Sequence, residues 1–367
     1  MNSKWEYRKI GDVCIVERGG SPRPIDQYIT NDANGINWIK IGDTSESMYI
    51  TETAQKIKPE GMKKSRYVQP GDFLLSNSMS FGRPYILKTD GCIHDGWLVL
   101  RDKNSFFDKR FLYYYLSAKP TYEKFKMIAV GGVVNNLNSE MVRKISVPVP
   151  CKAEQIEIAN LLDIVNRIIL KRKQTLQKLD ELVKARFVEM FGDDKYSKTP
   201  LINLITEGAG LSYGIVQPGD SGTGDMGVLR PVDMVNGKIS THSIKYIDRS
   251  IGASFKKTEL VGDELLITVR GTTGVTALTD SRFKNMNVTR GIAVIRYDRR
   301  KINPIYLNAF LNTDESQQYI QEHTRGATLQ QINLSDLRVH MIPVPPIELQ
   351  EKLADFIQQV DKSKVVA

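Results

Sequence analysis

Cysteine is scarce in this sequence, and long apolar runs are missing from it. Three cysteines stand far apart along 367 residues, so neither a disulfide framework nor a Cys-x-x-Cys metal pair is indicated: Cys14, Cys92 and Cys151. No apolar run approaches the ~20 residues that a membrane helix needs. The first residues contain no stretch typical of a signal peptide. We therefore expect a protein of the reducing cytoplasm that does not enter the membrane.

Motifs of common catalytic sites are missing as well. The sequence has no G-x-x-x-x-G-K-[ST] phosphate loop, and the G-x-G-x-x-G match at 222–227 precedes an expected strand rather than a helix. Residues 303–306, Asn-Pro-Ile-Tyr, resemble a methyltransferase loop, but an N-cap Asn followed by Pro at N1 explains them better. The four histidines show no spacing typical of metal ligands or of a catalytic triad: His94, His242, His323 and His340. We therefore expect no catalytic site and no metal site, which disfavours a fused methylase or nuclease.

The composition is that of a basic globular protein. Apolar residues make up 41%, aromatic residues 8% and charged residues 25%, and the length suits two domains of ordinary size. The net charge is +9, and the pI is near 9.2. This balance favours a polyanionic partner, for which nucleic acid is the usual candidate. A basic protein without such a partner remains the alternative from charge alone.

The strongest feature is an internal repeat. Pro148, Pro150 and Gln155 recur 195 residues later as Pro343, Pro345 and Gln350, in each case before an apolar helical pattern. Upstream the offset shortens to 191 and then to 190, where residues 37–43 align with residues 227–233. Because the matches keep their order while loops change length, we interpret them as a tandem duplication of a unit of about 190 residues.

Each repeat has the pattern of a small, strand-rich α+β unit. Short apolar segments bounded by Gly, Asn and Asp predict strands, and examples are 36–41, 72–76, 97–101, 264–270 and 292–297. One helical stretch is expected after the strands of each repeat, at 108–127 in the first and at 303–323 in the second. The Pro-x-Pro pairs then act as stiff boundaries between each unit and the helix that follows it.

A long helix is predicted after the first repeat. Residues 153–191 contain neither Gly nor Pro, and their apolar positions alternate in steps of four and three residues, as in a coiled coil. A long core helix of a bundle is the alternative. The second repeat has a shorter version of the pattern, so the two helices are expected to pair antiparallel and to relate the units by a pseudo-twofold axis. The positions expected to form this seam are Ile158, Leu162, Val165, Ile169, Leu176, Leu179, Val183, Leu353, Phe356 and Val360.

Polar and basic side chains crowd loops at corresponding places in the two repeats. Arg, Lys, Asn and Gln read base edges, and Ser and Thr assist. For single residues a solvated loop side chain is the alternative, but the shared location favours recognition of DNA. The candidates in the first repeat are Arg18, Arg23, Lys40, Ser78, Arg83, Asn135 and Asn136. Those in the second are Arg230, Arg270, Thr272, Thr273, Arg290, Arg325, Gln330 and Gln331.

With its two Pro-x-Pro boundaries, its polar loops at 131–138 and 325–333 and its central helix in this order, the chain resembles a specificity subunit of a type I restriction-modification system. The resemblance covers essentially the whole chain and implies two target-recognition domains that each read half of a bipartite DNA site. The implied domains are 1–150 and 193–345. The implied spacer helices are 151–192 and 346–367.

The resemblance also implies partners and cofactors. Two methyltransferase subunits would methylate adenine N6 with S-adenosylmethionine, and restriction subunits would translocate and cut double-stranded DNA with ATP and Mg. This chain would bind no cofactor and catalyse no reaction. An adapter with a coiled-coil rod and no DNA readout is the alternative function.

The second helix departs from the family pattern, because it has only about 20 residues where the first has about 38. We expect an apolar stripe at Leu176, Leu179 and Val183 that docks the methyltransferase or a second copy of the chain.

Overall fold

The computed structural model describes residues 5–77, 82–129, 136–192, 195–217, 219, 224–235 and 237–366. The chain divides into two compact units, Met1–Leu170 and Lys171–Ala367. The division falls inside the longest helix, so each unit includes part of that helix.

The first unit combines short strands with helices that lie mostly in its second half. Its helices are α1 (Ile10–Val13), α2 (Lys109–Ser117), α3 (Lys119–Ala129), α4 (Ser139–Arg143) and the start of α5 (Lys152–Phe191). Its strands are β1 (Tyr7–Lys9), β2 (Cys14–Arg18), β3 (Ile29–Thr30), β4 (Ile36–Ile39), β5 (Tyr49–Ile50), β6 (Gln55–Ile57), β7 (Arg66–Val68), β8 (Phe73–Ser76), β9 (Pro84–Leu87), β10 (Gly91–Ile93), β11 (Trp97–Asp102) and β12 (Ser146–Pro148).

Two sheets of the first unit share a core. Among the described residues, one sheet has the strand order β3-β6-β4-β10-β7 and the other has β2-β11-β8-β9-β5. Successive side chains of a strand point to opposite faces. Leu75 and Leu98 therefore pack in the cluster that includes the helices, whereas Leu74 and Val99 pack in the cluster between the sheets. Burial on both faces explains why these strands are continuous apolar runs in the sequence.

The second unit repeats the design. Its helices are α6 (Arg249–Gly252), α7 (Pro304–Leu311), α8 (Asp314–Glu322), α9 (Leu334–Arg338) and α10 (Ile347–Val366). Its strands are β13 (Lys198–Pro200), β14 (Ser212–Tyr213), β15 (Met226–Leu229), β16 (Met234–Val235), β17 (Lys238–Ile239), β18 (Lys245–Ile247), β19 (Leu265–Arg270), β20 (Thr272–Leu278), β21 (Asn287–Val288), β22 (Ile292–Ile295), β23 (Thr324–Arg325), β24 (Gln331–Ile332) and β25 (Met341–Pro343).

The sheets of the second unit pack in the same way. In the described part of the unit, the larger sheet follows β14-β22-β19-β24-β23, with β20 paired to β19, and a smaller sheet follows β18-β15-β21. Leu265 and Ile267 of β19 face the core that contains α7 and α8. Leu266 faces the opposite cluster, with Leu229 and Val288.

Backbone pairing confirms the predicted repeat. In the first unit β1 pairs antiparallel with β12, and Tyr7 stands opposite Pro148. In the second unit β13 pairs with β25 in the same register, and Lys198 stands opposite Pro343. A parallel strand pair also recurs, as β4 with β10 in the first unit and as β15 with β21 in the second. The predicted fold class, two repeated strand-rich α+β units with a long helix, is confirmed.

The prediction of one helical stretch per repeat is wrong, because each stretch is two helices. In the first unit α2 ends at Ser117 with Ala118 in an extended conformation. Pro120 has no N–H for a hydrogen bond within a preceding helix, so it sits in the first turn of α3 instead. In the second unit the side chain of Thr313 accepts a hydrogen bond from Ser316 N and caps the start of α8.

Helix α5 is tied to its neighbours at both ends. In the first unit, Arg110 and Tyr114 of α2 both contact Asp163, each at 2.6 Å. In the second unit, the Arg186 guanidinium lies 5.9 Å from the centre of the Phe356 ring. Further along, Lys364 forms an ion pair with Asp180 at 2.8 Å. Because residue numbers rise along α10 as they fall along α5, the two stretches run antiparallel, as predicted.

Burial along the predicted seam is uneven. Leu353 and Val360 of α10 are buried. Ile158, Leu162, Leu179, Val183 and Phe356 are half-buried. Val165, Ile169 and Leu176 are 44%, 48% and 38% exposed, respectively.

Candidate nucleic-acid interface

Three segments of the second unit end at one edge, and this edge carries exposed basic and apolar side chains. Strand β21 lies between β15 and the residues around Ile215, and all three segments run in the same direction. The pairing continues past the strands, since Thr289 N donates to Leu229 O at 2.9 Å and Arg290 N donates to Ile215 O at 2.9 Å. Segments paired in this way lie about 4.8 Å apart. Arg290 therefore lies beside Val216 on one side. On the other side lies the turn Pro231–Asp233, which carries Val232 and packs against Gly291.

Arg230 stabilises the turn at this edge. Its Nε and Nη2 donate to the two carboxylate oxygens of Asp233 at 3.0 and 2.9 Å, and Nη2 also donates to Ser243 O. Asp233 is fully buried, and its hydrogen bonds to the guanidinium raise the pKa of Arg230. These contacts use several of the five N–H donors that Arg230 offers. Arg230 therefore supports the turn at Pro231–Asp233 as well as adding positive charge.

Most of the other basic and amide candidates of the second unit lie at one end of the larger sheet. Arg270 is the ladder partner of Thr272 and of Gln331. Arg325 also pairs with Gln331, and Gly271 N donates to the carbonyl of Gln330 at 2.8 Å. Val269 N in turn bonds to Gly291 O at 2.8 Å. The structure thus joins this group to the edge that carries Arg290.

Thr273 occupies a different environment from its neighbours. It is only 5% exposed, and its hydroxyl lies 3.1 Å from the hydroxyl of Thr324. This burial argues against a direct contact of Thr273 with DNA. Its physical role is to join β20 to the start of β23.

The first unit has the same edge with different side chains. His94 N donates to Ile39 O at 3.4 Å, and Gly20 N donates to Ile93 O at 3.1 Å. In the second unit they correspond to the bond from Thr289 N to Leu229 O and to a bond from Ile215 N to Val288 O at 2.8 Å. Asp95 therefore occupies the position that Arg290 occupies in the second unit.

Asp95 is the centre of a polar cluster in the first unit. Its carboxylate accepts a hydrogen bond from Ser21 at 2.8 Å and lies 3.5 Å from the Arg23 guanidinium. Its carbonyl accepts from Arg18 Nε at 3.1 Å and from Asn77 Nδ2 at 2.8 Å. Partial burial raises the pKa of Asp95, but the Ser21 hydrogen bond and the nearby Arg18 charge together hold it below its ordinary value. Asp95 thus stays ionised and orients two of the predicted arginines.

A cavity of about 910 Å³ opens beside this cluster. Lys40 lines it and donates to Gln55 Oε1 at 2.7 Å. Trp38 and Ile29 give it an apolar part, while Arg23 and Asp26 give it charge. Its wall also includes His94, which accepts a hydrogen bond from Ile41 N at 3.1 Å. Burial lowers the pKa of His94 despite the nearby Asp95 carboxylate, so the charge of this cavity comes from its other residues.

The remaining candidates of the first unit lie in or near loops. Arg83 is exposed, and its backbone N–H donates to Ser76 Oγ at 2.9 Å. Asn136 is exposed and precedes Leu137, whose N–H donates to Asn77 O at 2.9 Å. The predictions for Ser78 and Asn135 lie outside the described residues.

Sequence reasoning missed several residues of these surfaces. Asp95, Asn77 and Gln55 were not predicted in the first unit, and Val216 and Val232 were not predicted in the second. A signal for one of them was present, because Gly96 and Gly291 align at the 195-residue offset and place Asp95 opposite Arg290. No local motif indicated the valines.

The described residues offer neither a cluster of metal ligands nor a membrane-spanning helix. No group of three or more His, Cys, Asp or Glu side chains in the described ranges could hold a metal ion. Likewise, no helix in the described part of the chain is long and apolar enough to cross a bilayer. The interpretation of Asn303 as a helix cap is confirmed, since its side chain accepts hydrogen bonds from Ile305 N and Tyr306 N.

Two units of one framework, with different polar side chains at corresponding surface positions, define a tandemly duplicated recognition protein. The family model described as the type I restriction modification DNA specificity domain matches residues 2–181 and 221–365. The chain belongs to this family.

Similar proteins carry related descriptions. The specificity subunit of the type I restriction enzyme EcoBI from Escherichia coli is 23% identical over 360 residues, which cover 90% of this chain and 74% of that protein. A solved chain from work on assembly and conformational transition of the type I R-M system has a TM-score of 0.54 and 15% sequence identity. The match covers 99% of this chain and 91% of the solved chain. The S subunit from M. genitalium has a TM-score of 0.53 at 12% identity, with the same coverage of 99% and 91%. The two solved chains share the fold with this protein.

Proposed function

We propose that the chain is the DNA-reading subunit of a type I restriction-modification complex and catalyses no reaction itself. Each unit reads one half of a bipartite double-stranded DNA target. The helices α5 and α10 set the length of the unread spacer and dock two methyltransferase subunits. Restriction and translocase subunits join the same complex.

One observation carries the proposal. The two units share two backbone hydrogen bonds at the three-segment edge, those of His94 N and Gly20 N in the first unit and of Thr289 N and Ile215 N in the second. The side chain at the centre of the edge changes from Asp95 to Arg290. A constant framework with variable exposed side chains is expected of a protein that reads two different short sequences, because base edges are distinguished by donor and acceptor pattern. The net charge of +9 supports binding to the phosphate backbone.

The exposed apolar face of α5 supports docking of a protein partner. Ile164, Val165, Ile168 and Ile169 are between 44% and 54% exposed within two helical turns. Larger apolar patches on a soluble protein are typical of interaction sites. Charged side chains of the same helix, such as Arg167 and Lys171, would form the polar rim of such an interface.

The cofactors of the reaction belong to the partner subunits in this proposal. S-adenosylmethionine would bind to the methyltransferase subunits, and ATP and Mg to the restriction subunits. The role of this chain is to orient DNA so that an adenine in each half-site reaches a methyltransferase active site.

An adapter function without DNA readout is the second candidate. The exposed face of α5 fits an adapter as well as it fits a specificity subunit. The clusters of arginine and amide side chains at the ends of the sheets favour DNA readout over the adapter function.

Mapping of methylated adenines tests the proposal. The chain is co-expressed with the neighbouring methyltransferase gene, and genomic DNA is sequenced for N6-methyladenine. We expect two short motifs at a fixed spacing. Replacement of residues 1–150 by those of a relative should change one motif only. Methylation that ignores sequence, or no methylation beyond that of the methyltransferase alone, would contradict the proposal.

A salt series separates the two candidate functions. Binding of the chain–methyltransferase complex to duplex DNA should weaken steeply as salt rises, because phosphate contacts release counterions. An adapter would show no specific duplex binding at any salt concentration.

A further inference from the structure

Arg290 is held rigidly at its backbone while its side chain is exposed. Its N–H donates to Ile215 O. A Cβ atom on the following residue, Gly291, would lie 2.6 Å from the Pro231 side chain, so no larger residue fits there without displacing the turn. Within the described residues, the Arg290 guanidinium has no hydrogen-bond partner in the protein. A fixed backbone with available donors is the arrangement that a base-reading arginine needs, since less conformational freedom is lost on binding.

Two exposed valines belong to the segments on either side of this arginine, Val216 in one and Val232 in the turn of the other. Val216 is 49% exposed and Val232 is 71% exposed. Val232 occupies the turn that Arg230 and the buried Asp233 stabilise, and Ser243 Oγ donates a further hydrogen bond to Asp233 at 2.9 Å. The turn therefore presents Val232 to solvent in a fixed position. An apolar side chain held next to a base-reading arginine suits the 5-methyl group of thymine, the apolar feature of the major groove.

We infer that Arg290 reads a guanine and that Val232 reads the methyl group of a neighbouring thymine in the half-site of the second unit. The inference rests on the proposed function. Arginine donates two hydrogen bonds to guanine O6 and N7, and this pairing discriminates strongly against other bases. The equivalent Asp95 accepts hydrogen bonds only, so the first unit does not read guanine at this position.

Duplexes with single modified bases test the inference. The complex of the chain with its methyltransferase subunit is titrated with its mapped target. In these duplexes each guanine in turn is replaced by 7-deazaguanine, which lacks the N7 acceptor, and each thymine by deoxyuridine, which lacks the methyl group. We expect one guanine in one half-site whose replacement weakens binding about ten-fold. A neighbouring thymine should show a loss of about three-fold.

Variants assign these effects to residues. Arg290→Ala should bind the 7-deazaguanine duplex and the unmodified duplex equally, and Val232→Ala should bind the deoxyuridine duplex and the unmodified duplex equally. Arg282→Ala and Val261→Ala are matched controls, because both side chains are exposed at other places in the unit. They should keep the wild-type sensitivity to each modified base.

The outcomes distinguish the inference from the proposed function. A wild-type complex that recognises a bipartite site, together with an Arg290→Ala variant that keeps every wild-type sensitivity, overturns the inference alone. A wild-type complex without a bipartite site overturns the proposed function and the inference with it. Melting temperatures equal to that of the wild type show that the variants are folded.

Discussion

Gln155 and Gln350 occupy the same place in the two units and make the same three hydrogen bonds. The side-chain oxygen of Gln155 accepts from Asp108 N at 2.7 Å, and its amide nitrogen donates to Phe106 O and Pro150 O. Gln350 accepts from Asn303 N at 2.8 Å and donates to Lys301 O and Pro345 O. Both glutamines are fully buried. Gln155 therefore fastens the first turn of α5 to the N-cap of α2, and Gln350 fastens the first turn of α10 to the N-cap of α7.

Gln350→Ala should lower the free energy of unfolding of the second unit by about 2–4 kcal/mol. The substitution leaves buried donor and acceptor groups without partners, and each such group costs about 1–3 kcal/mol. Chemical denaturation measures the change. Gln358→Ala, on the exposed face of the same helix, should have almost no effect. Equal stability of the two variants would contradict this account of Gln350.

His340 should make the second unit sensitive to acid. Burial, followed by the charges of His323 and Lys198, lowers the pKa of His340 to about 4, from about 6.5 in the unfolded chain. Between these values the unfolded state binds a proton that the folded state does not. The free energy of unfolding should therefore fall as pH drops from about 6.5 to about 4, by up to ~3 kcal/mol, with no contribution above that range.

Denaturation curves of His340→Gln at several pH values measure this contribution. Glutamine keeps a polar group near Ser316, whose hydroxyl lies 2.8 Å from His340 Nε2, but it does not titrate. The variant should lose the acid-dependent part of the wild-type curve. The control His242→Gln changes an exposed histidine and should keep the acid-dependent part of the curve. A His340→Gln curve parallel to that of the wild type would disprove the assignment.

Two lysines on the exposed face of α5 should prevent binding of the methyltransferase without unfolding the chain. Val165 and Ile169 are about half exposed, so Val165→Lys combined with Ile169→Lys removes little burial within the protein. Charges in the centre of an apolar interface are costly when they are desolvated without partners. Co-purification should fall at least ten-fold while circular dichroism is unchanged. Val339→Lys, at another exposed apolar position, is the control. Retention of the methyltransferase by the double variant would place its docking surface elsewhere.

Arg325→Ala should weaken DNA binding without changing the methylated motif. Arg325 is exposed on β23, the outermost strand of its sheet, where a phosphate contact is expected. Loss of one phosphate contact lowers the slope of log K against log salt by about one. Fluorescence titrations at several salt concentrations measure the slope, and adenine mapping reads the motif. A changed motif with an unchanged slope would instead make Arg325 a base-reading residue.

The parts of the fold that follow from local sequence could be predicted. Residues that cannot donate a backbone hydrogen bond, such as Pro148 and Pro343, mark each boundary, and the absence of Gly and Pro predicts α5. The break between α7 and α8 at Thr313 was not predicted. The Thr313 side chain caps the start of α8 and so competes with continuation of α7, and the spacing of apolar residues does not show this competition.

The candidate site was predictable only in part, because it depends on contacts distant in sequence. Thr273 is buried, and its hydroxyl contacts that of Thr324, which lies 51 residues further along the chain. Val232 faces solvent because the buried carboxylate of Asp233 holds its turn in place. A pattern of basic loop residues identifies the region, but only the pairing of strands shows which side chains share an edge.

Strand β1 pairs with β12, and β13 pairs with β25, so each unit begins and ends on the same two-stranded sheet. Its first and last strands are hydrogen-bonded to each other, so both junctions of a replacement unit lie side by side on one small ladder. Recombination at the two junctions can therefore exchange a whole unit while the helix beyond it keeps its register. New DNA specificities could arise in this way by exchange of modules, without a stepwise redesign of either surface.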